Sequence, residues 1–246
     1  MYAQLLDEQI PFRVNVLDVG CGTGQLSAFL SLAQRKVVGI DLSFESLRKA
    51  NSFRLNHRMK RVAFAQADIF RIPIRDRTFD FVICNGVLHL TGDARSGFRI
   101  LCNLVKPRGY VIVGLYNKCG RLLMDLRRLI FRITGDRLRW IDYSWRRRFS
   151  EPAKREIWFM DQYKNPHETR HTVDEVLAWF GENDIEFVNS VPKITLTEDF
   201  TGRERLFEVH DRGTRIEHLL RQLSWIFTKS REGGFFLMIG RKKSHS

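Results

Sequence analysis

The chain has 246 residues, of which 43% are hydrophobic and 28% charged, a composition that excludes wholesale disorder. It has no run of about eighteen apolar residues and no N-terminal basic segment before an apolar one, so we expect neither a transmembrane helix nor a secretory signal. Four scattered cysteines without a CxxC pair favour reduced thiols and a cytoplasmic location. The net charge of +13 indicates either an anionic partner or a basic solvated surface.

Short apolar runs alternate with helical patterns in the first half of the chain. Apolar residues at helical spacing follow the first, second and fourth runs, and Ser43 is a suitable N-cap for the second of these helices. Strands that alternate with helices predict a parallel sheet with right-handed crossovers. The predicted strands are 14–19, 36–40, 62–67, 79–84 and 110–115.

The pattern changes after Asn117. Apolar residues between Leu122 and Ile133 predict an amphipathic helix with arginines on its other faces, and residues 134–171 are predicted to be irregular. Thr172 and Glu175 then form a capping box for a further helix. A sixth strand at 185–191, a helix around 216–227 and a last strand at 234–240 complete the pattern.

We predict one domain, 1–246, with insertions after the fifth and sixth strands. Its core comprises 14–117, 172–192 and 233–242, and the two insertions are caps at 118–171 and 193–232.

The glycine loop Gly20–Gly24 follows the first strand directly. A dinucleotide site of the form G-x-G-x-x-G would place its third glycine at position 25, where Gln25 stands. Asp18 precedes the loop, and its carboxylate would repel a pyrophosphate and attract an ammonium or sulfonium group. The loop therefore favours a cationic ligand without phosphate.

Two further acids end the next strands. Asp41 closes the second strand, where a carboxylate can accept hydrogen bonds from both ribose hydroxyls. Asp68 closes the third strand and is placed to accept a hydrogen bond from an adenine amino group. Each acid alone is typical of a helix cap or a turn, but both together with the glycine loop favour a nucleoside site.

The strings LDVGCGTG, VVGIDLS, AQADI, FDFVICNGVLHL and LVKPRGYVIVGLYN resemble the successive motifs of class I S-adenosylmethionine (SAM)-dependent methyltransferases. The resemblance implies an α/β, Rossmann-like sheet of seven mostly parallel strands with helices on both faces and an antiparallel last strand. It also implies SAM as methyl donor, S-adenosylhomocysteine as product and a small-molecule acceptor methylated at oxygen, nitrogen or carbon.

The same resemblance assigns cofactor contacts. The methionine part would meet the loop that Asp18 precedes, Asp41 would hold the ribose, and Asp68 the adenine amine. The remaining cofactor residues are Gly20, Cys21, Gly22 and Gly24 in the loop, Leu42 and Ile69 on the adenine faces, and Asn85 beside the methionine moiety. Such enzymes carry helices before the first strand that cover the cofactor, whereas about thirteen residues precede Val14 here. Either the later insertions supply the cover, or part of the usual N-terminus is missing.

Acceptor-side candidates follow the fourth and fifth strands. His89 lies near the expected methyl group and has a suitable pKa range for a general base, although a histidine packed at a strand–helix junction explains it equally well. Tyr116 and Asn117, which end the fifth strand, are the next candidates for contact with the acceptor.

The segment His167–His171 has the H-E-x-x-H pattern of zinc proteases. That motif requires both histidines on one helical face, whereas Pro166 precedes the segment and Thr172 caps the helix after it. We therefore expect no metal. Tyr163, His167 and His171, together with Glu168, are predicted to line the acceptor pocket, and a plain polar loop is the alternative.

Residues 121–150 contain nine arginines and three aspartates and so carry six of the thirteen net positive charges. The helix at 122–133 can form a cap whose leucines cover the site while its arginines face water. It can also lie on an anionic membrane surface or touch another polyanion. An RNA methyltransferase that uses this cluster is less favoured, because no RNA-binding module is present. A cofactor-binding protein without turnover is the non-enzymatic alternative, and no pattern indicates an oligomeric state.

Overall fold

A sheet of seven strands lies at the centre of the computed structural model, which describes residues 2–142, 151–164, 168–199, 201, 204–227 and 234–244. Its order is β3-β2-β1-β4-β5-β7-β6, and β7 runs antiparallel to both neighbours. The predicted α/β class and antiparallel last strand are confirmed. The strands are β1 (Asn15–Val19), β2 (Lys36–Asp41), β3 (Val62–Gln66), β4 (Phe79–Asn85), β5 (Val105–Tyr116), β6 (Ile185–Val191) and β7 (Phe235–Lys242).

The order of the strands reverses between β1 and β4. Val19 at the end of β1 pairs with Ile40 of β2 on one side and with Cys84 of β4 on the other. The chain first moves outward to β3 and then returns to the opposite side of β1. Open parallel sheets bind ligands in the crevice at such a reversal, beyond the carboxyl ends of the strands.

The described helices agree with the predicted ones at most positions. Ser43 caps its helix by accepting from the Ser46 amide, and the Thr172–Glu175 capping box is present. The helices are α1 (Tyr2–Gln9), α2 (Gln25–Ser31), α3 (Phe44–Asn56), α4 (Ala94–Leu104), α5 (Leu122–Thr134), α6 (Pro152–Lys164), α7 (Val173–Glu182) and α8 (Arg215–Ser224).

The core has one hydrophobic cluster for each face of the sheet. One cluster joins the sheet to α4 and α7 through residues such as Phe98 and Phe180, whose rings stack at 5.4 Å. The other joins it to α1 and α2 through Leu6 and Leu30. Alternate residues of the central strands supply both clusters, because successive side chains of a strand point to opposite faces.

Hydrogen bonds of the buried Arg35 side chain connect α1 to α2. The Arg35 guanidinium donates to the Asp7 carboxylate and to the carbonyl oxygens of Ile10 and Leu30. A buried guanidinium is tolerated only when its donors are paired in this way. A helix therefore precedes β1 and packs on α2, so the segment before the first strand contributes one covering element.

Residues 151–164 depart from the predicted irregular structure, because they form α6. Phe159 and Tyr163 are one helical turn apart and pack on Phe131 of α5, with ring centroids 5.4 and 4.8 Å from the Phe131 ring. Pro152 at the first helical position is a start signal.

Helix α5 has the opposite orientation to the one predicted for a cap. Its leucines are exposed, whereas Arg127 and Arg128 are partly buried and Phe131 is fully buried. The prediction that the leucines cover the site while the arginines face water is therefore wrong. Buried acids explain the difference, since Arg127 lies 3.9 Å from Asp142 and Arg128 lies 3.4 Å from Glu168.

Glu168 fastens α5 to the segment that leads into α7. Its carboxylate accepts from Arg121 Nε at 2.9 Å and from a second Arg121 nitrogen at 2.8 Å, and both side chains are buried. Arg128 lies on the same carboxylate, and Arg170 binds Asp125 of α5. These contacts join the two ends of the insertion.

Replacement of Glu168 with alanine should leave the Arg121 charge buried without its partner. Loss of one member of a buried pair typically costs about 3–5 kcal/mol, so we expect a fall of that order in the free energy of unfolding, measured in urea. Glu45→Ala is the control, because the Glu45–Arg48 pair is exposed and its loss should cost less than about 1 kcal/mol. Equal effects of the two substitutions would contradict this account.

Candidate cofactor and acceptor site

The glycine loop Gly20–Gly24 connects β1 to α2 and is bonded to β2. The amides of Gly20 and Cys21 both donate to the Ile40 carbonyl oxygen, at 2.7 and 3.0 Å. Gly22 has φ +54°, and a side chain built there would meet nothing within 4 Å. The backbone at Gly22 is therefore open to a ligand, and its conformation is one that glycine adopts without strain.

Asp41 holds this loop in place. One carboxylate oxygen accepts from the Gly22 amide at 2.8 Å, and the other accepts from the Ser43 amide at 2.8 Å. The carboxylate is partly exposed, and the next side chain, Leu42, is exposed beside it. Asp41 and Leu42 therefore remain accessible to a nucleoside at the end of β2.

The other predicted nucleoside residues follow β3. Asp68 is exposed and accepts from the Phe70 amide at 2.9 Å, so it is also part of a turn. Ile69 is buried in the cluster that includes α4. The structure thus places Asp68 on the protein surface in the turn after β3, whereas it packs Ile69 mainly into the core.

Asp18 is a buried acid directly beneath the loop. Its side chain is 3% exposed and accepts from Ser27 Oγ at 2.5 Å. Burial raises the pKa of Asp18 to about 6, opposed by the Ser27 hydrogen bond and reinforced by the Asp41 charge. Burial, with the charges of Asp18 and Asp41, also raises the pKa of the Cys21 thiol to about 12, so Cys21 is a neutral thiol.

An open pocket of about 630 Å³ lies between the glycine loop and α1. This volume is within the range of about 300–1,000 Å³ that is usual for small-ligand sites. The pocket combines the N-terminal helix with the loop, so α1 forms one of its walls. Its lining residues are Ala3, Gln4, Cys21, Gly22, Thr23, Gln25, Leu26 and Phe29.

Asn85 and His89 lie at the end of β4. Among the described residues, Asn85 Oδ1 and His89 Nδ1 are buried without a hydrogen-bond partner. Burial, reinforced by the charges of Arg121 and His171, lowers the pKa of His89 to about 3. The imidazole is therefore neutral near pH 7 and has little affinity for a proton in this conformation.

Tyr116 covers His89 at the end of β5. The Tyr116 ring contacts the His89 ring at a centroid distance of 4.5 Å. The Arg121 guanidinium carbon lies 3.7 Å from the Tyr116 ring centroid. The His89 carbonyl oxygen accepts from the Thr169 amide at 2.7 Å. The structure thus brings His89 and Tyr116 together and joins both to the 118–171 insertion.

Two of the predicted acceptor residues, Asn117 and His171, form hydrogen bonds with other residues of the protein. Asn117 is fully buried, its Nδ2 donates to Gln222 and to the His171 carbonyl, and its Oδ1 accepts from the amides of Cys119 and Gly120. Both ring nitrogens of His171 are engaged, by Glu175 and by Thr169. None of these groups is available to an acceptor.

Tyr163 is buried in the small core between α5 and α6. Its hydroxyl donates to Asp142 at 2.8 Å, and burial raises its pKa. Neither Asn117, Tyr163 nor His171 lines the pocket beside the glycine loop. His167 lies outside the described residues.

Two described residues of the H-E-x-x-H segment, Glu168 and His171, have protein partners. The Glu168 carboxylate is held by arginines, and His171 precedes the N-cap of α7. The described residues contain no group of three side chains that could hold a metal ion.

Some residues of this site belong to no recognisable sequence motif. Ser27 is the partner of Asp18 but carries no motif, and the contribution of Ala3 and Gln4 depends on how α1 packs. The Ile40 carbonyl acts through the backbone alone. Of these, only Ser27 could have been found from the sequence, through its position on the first helix after the loop.

A family model described as a methyltransferase domain matches residues 13–165, which is more than half of the chain. The chain belongs to the methyltransferase domain family. The match includes the glycine loop, Asp41, Asp68 and His89, and the strand order is that of a Rossmann-like methyltransferase fold. The family match and the strand order thus agree on a methyltransferase domain with a Rossmann-like fold.

Individual relatives agree with this family. An uncharacterized methyltransferase of Mycobacterium tuberculosis is 34% identical over 113 residues, which are 46% of this chain and 56% of the relative. A ubiquinone biosynthesis O-methyltransferase of Albidiferax ferrireducens is 32% identical over 104 residues, 42% of this chain and 41% of that protein. The matches thus span about half the length of these relatives.

A solved structure supports the fold of the methyltransferase. A SAM-dependent methyltransferase of Methanosarcina mazei is similar with a TM-score of 0.61 and 15% sequence identity, covering 97% of both chains. At this identity the likeness concerns the fold. None of the described helices of the methyltransferase is long and apolar enough to cross a membrane.

The buried Asp18 should make the stability of the ligand-free methyltransferase fall as pH rises. Its pKa rises from the ordinary 3.8 to about 6 on folding, so between these values the folded state binds more protons than the unfolded state. The destabilisation is absent below about pH 4 and complete above about pH 6, and it amounts to about 3 kcal/mol.

Asp18→Asn should remove this dependence, because an amide is neutral at every pH. We expect urea unfolding to show the variant stabilised relative to wild type at pH 7 and much less so at pH 4.5. Asp76→Asn, at an exposed position, is the control. A difference between Asp18→Asn and wild type that is the same at both pH values would contradict the pKa of Asp18.

Proposed function

We propose that this chain transfers a methyl group from SAM to a small-molecule acceptor, at oxygen, nitrogen or carbon, and releases S-adenosylhomocysteine. The observation that carries the proposal is the glycine loop with Gly22 open to a ligand and braced by Asp41. The family match supports SAM as the methyl donor, and the glycine loop is its proposed binding site.

The charges around the loop suit a cationic donor. The pocket lining contains no basic side chain that would neutralise a pyrophosphate, and Asp18 and Asp41 lie directly behind it. SAM carries an ammonium and a sulfonium, both of which two nearby carboxyl groups attract. A bound cation should also favour the ionised form of Asp18.

The cofactor contacts proposed here follow the positions of the side chains. The loop would hold the methionine part, and Asp41 and Asp68 would accept hydrogen bonds from the ribose and the adenine amine. Asn85, at the end of β4, would offer its backbone near the methionine part. The full set is Asp18, Gly20, Cys21, Gly22, Gly24, Asp41, Leu42, Asp68, Ile69 and Asn85.

Bound SAM would supply an electrophilic methyl group whose departure leaves a neutral thioether. The chain's own task is to orient the acceptor, and such positioning can contribute about 7–11 kcal/mol to lowering the barrier. His89 and Tyr116 are the acceptor-side residues retained in this proposal. The neutral imidazole of His89 suits it as a hydrogen-bond acceptor for the substrate better than as a strong base.

The insertions are proposed to act as caps on a single domain. Segment 118–171 reaches the site through Thr169, which donates to the His89 carbonyl oxygen, and through Arg121 over Tyr116. Segment 193–232 meets the same region through Gln222, which accepts from Asn117. The caps would therefore shape the acceptor side of the cleft.

Four of the nine arginines in residues 121–150 give little support to an RNA acceptor, because they contact acids of the chain itself. Arg121 and Arg128 pair with Glu168, Arg127 approaches Asp142, and Arg139 contacts Asp136 and Glu156. Arginines committed to internal acids are not available to neutralise phosphates. The relative named as a ubiquinone biosynthesis O-methyltransferase supports a small-molecule acceptor.

A cytoplasmic location is part of the proposal. All four cysteines are free thiols, and Cys84 and Cys102 are buried. Disulfides are rare in a reducing compartment, so free thiols fit such a compartment.

Label transfer from methyl-labelled SAM tests the proposed function. The protein is incubated with labelled SAM and either the low-molecular-mass fraction of a cell extract or purified total RNA. We expect label in the small-molecule products and none in RNA, and about a tenfold or greater loss on Asp41→Ala, which removes the brace of the loop and the proposed ribose contact.

Phe12→Ala is the control, because Phe12 is exposed and outside the glycine loop. Label in RNA would establish the RNA alternative. SAM binding without label in either fraction would support a cofactor-binding protein without turnover.

A further inference from the structure

Helices α5 and α8 each expose an apolar stripe, a row of four apolar side chains at the same sequence spacing. Leu122, Leu126, Leu129 and Ile133 lie along α5, and Ile216, Leu220, Leu223 and Phe227 lie along α8 and the turn that follows it. In both sets the spacing is i, i+4, i+7, i+11, which places the four side chains on one helical face. Ile133 is 75% exposed and Phe227 is 83% exposed.

The orientation of α8 is fixed by polar contacts on its inner face. Buried His218 contacts Asp174 at 2.9 Å and the Arg212 carbonyl oxygen at 2.7 Å. Gln222, also buried, accepts from Asn117 at 2.7 Å and from the Val173 amide at 3.0 Å. Rotation of the apolar stripe inward would leave these buried groups unpaired, at a cost of about 1–3 kcal/mol each.

The orientation of α5 is fixed in the same way. Arg128 of its inner face meets the buried Glu168, and Phe131 packs on Phe159 and Tyr163. The stripe therefore has to face outward. Single exposed leucines are ordinary, but two contiguous stripes on neighbouring insertions indicate a surface that binds something apolar.

Both helices leave the sheet at the same corner. The Asn117 amide, between β5 and α5, donates to the Gly234 carbonyl oxygen immediately before β7, at 2.9 Å. The Asn117 side chain reaches Gln222 of α8. Helices α5 and α8 thus both lie near the carboxyl end of β5, where the Tyr116 ring contacts His89.

The arginines beside the stripes indicate which kind of partner binds there. Arg132, Arg137 and Arg215 are exposed and make no ion pair with any residue that the structure describes, and Trp140 is exposed beyond the end of α5. Helices that lie in a membrane interface combine an apolar Leu/Phe/Trp face with flanking arginines and bind anionic lipids. In a symmetric dimer through the stripes, the same arginines would face their own copies and repel.

We propose that the stripes of α5 and α8, with their flanking arginines, form a docking surface for an anionic phospholipid bilayer. The protein rests on the membrane through this surface. This proposal concerns binding alone and does not depend on methyl transfer.

Flotation with vesicles tests the docking surface. Wild-type protein is mixed with vesicles of phosphatidylcholine alone or of phosphatidylcholine with phosphatidylglycerol, at equal ionic strength. We expect at least about tenfold more binding to the anionic vesicles, because each arginine near such a surface contributes a favourable interaction with anionic lipids. Arg132→Gln/Arg137→Gln should reduce that preference.

Glutamine substitutions in the stripes test insertion without changing the charge. Leu126→Gln/Ile133→Gln and Ile216→Gln/Leu220→Gln should each lower vesicle binding by about tenfold, because apolar side chains buried in the interface drive the binding. Leu32→Gln/Leu55→Gln is the matched control, since Leu32 and Leu55 are also exposed but lie after the end of α2 and on α3. Circular dichroism should show all variants folded.

Absence of wild-type binding to either vesicle would overturn the proposal, and so would stripe variants that bind as wild type does. Sedimentation velocity identifies the other occupant. A concentration-dependent dimer that is lost in the stripe variants, without vesicle binding, would show that a second copy covers the stripes.

Discussion

The site depends on one hydrogen bond, from the Gly22 amide to the Asp41 carboxylate. It joins the turn after β1 to the end of β2, and the Ile40 carbonyl adds two bonds to the same turn. Together these contacts hold the glycine loop in a conformation with bare backbone facing the pocket. The loop lies at the reversal of strand order, where neighbouring crossovers leave a crevice.

The second constraint is the connection between the cap and the reacting end of the sheet. Arg121 and Glu168 form a buried pair, Thr169 bonds to the His89 backbone, and Arg121 lies over the Tyr116 ring. The ends of the insertion are therefore part of the wall around His89, which explains its neutral imidazole and low pKa. The arginine-rich composition serves this internal network at its inner face and leaves other arginines exposed outside.

The sequence was sufficient for the sheet and the loop, because both depend on local patterns. The glycines follow the end of β1 directly, and Asp41 and Ser43 lie at the end of β2. Alternating apolar runs determine the order of the strands and helices. It was insufficient for the caps. An amphipathic helix has two faces, and only the buried partners Glu168 and Asp142 determine that Arg127 and Arg128 of α5 turn inward. The burial of Asn117 could not be predicted for the same reason, since its partner Gln222 lies 105 residues away.

Calorimetry with two cofactors tests the central claim most directly. SAM and NAD share an adenosine but differ in charge, and the loop with Asp18 and Asp41 favours the cationic ligand and repels the pyrophosphate. The account predicts that SAM binds to the wild-type protein and that NAD does not bind at millimolar concentration. Binding of NAD without any binding of SAM at millimolar concentration would contradict it.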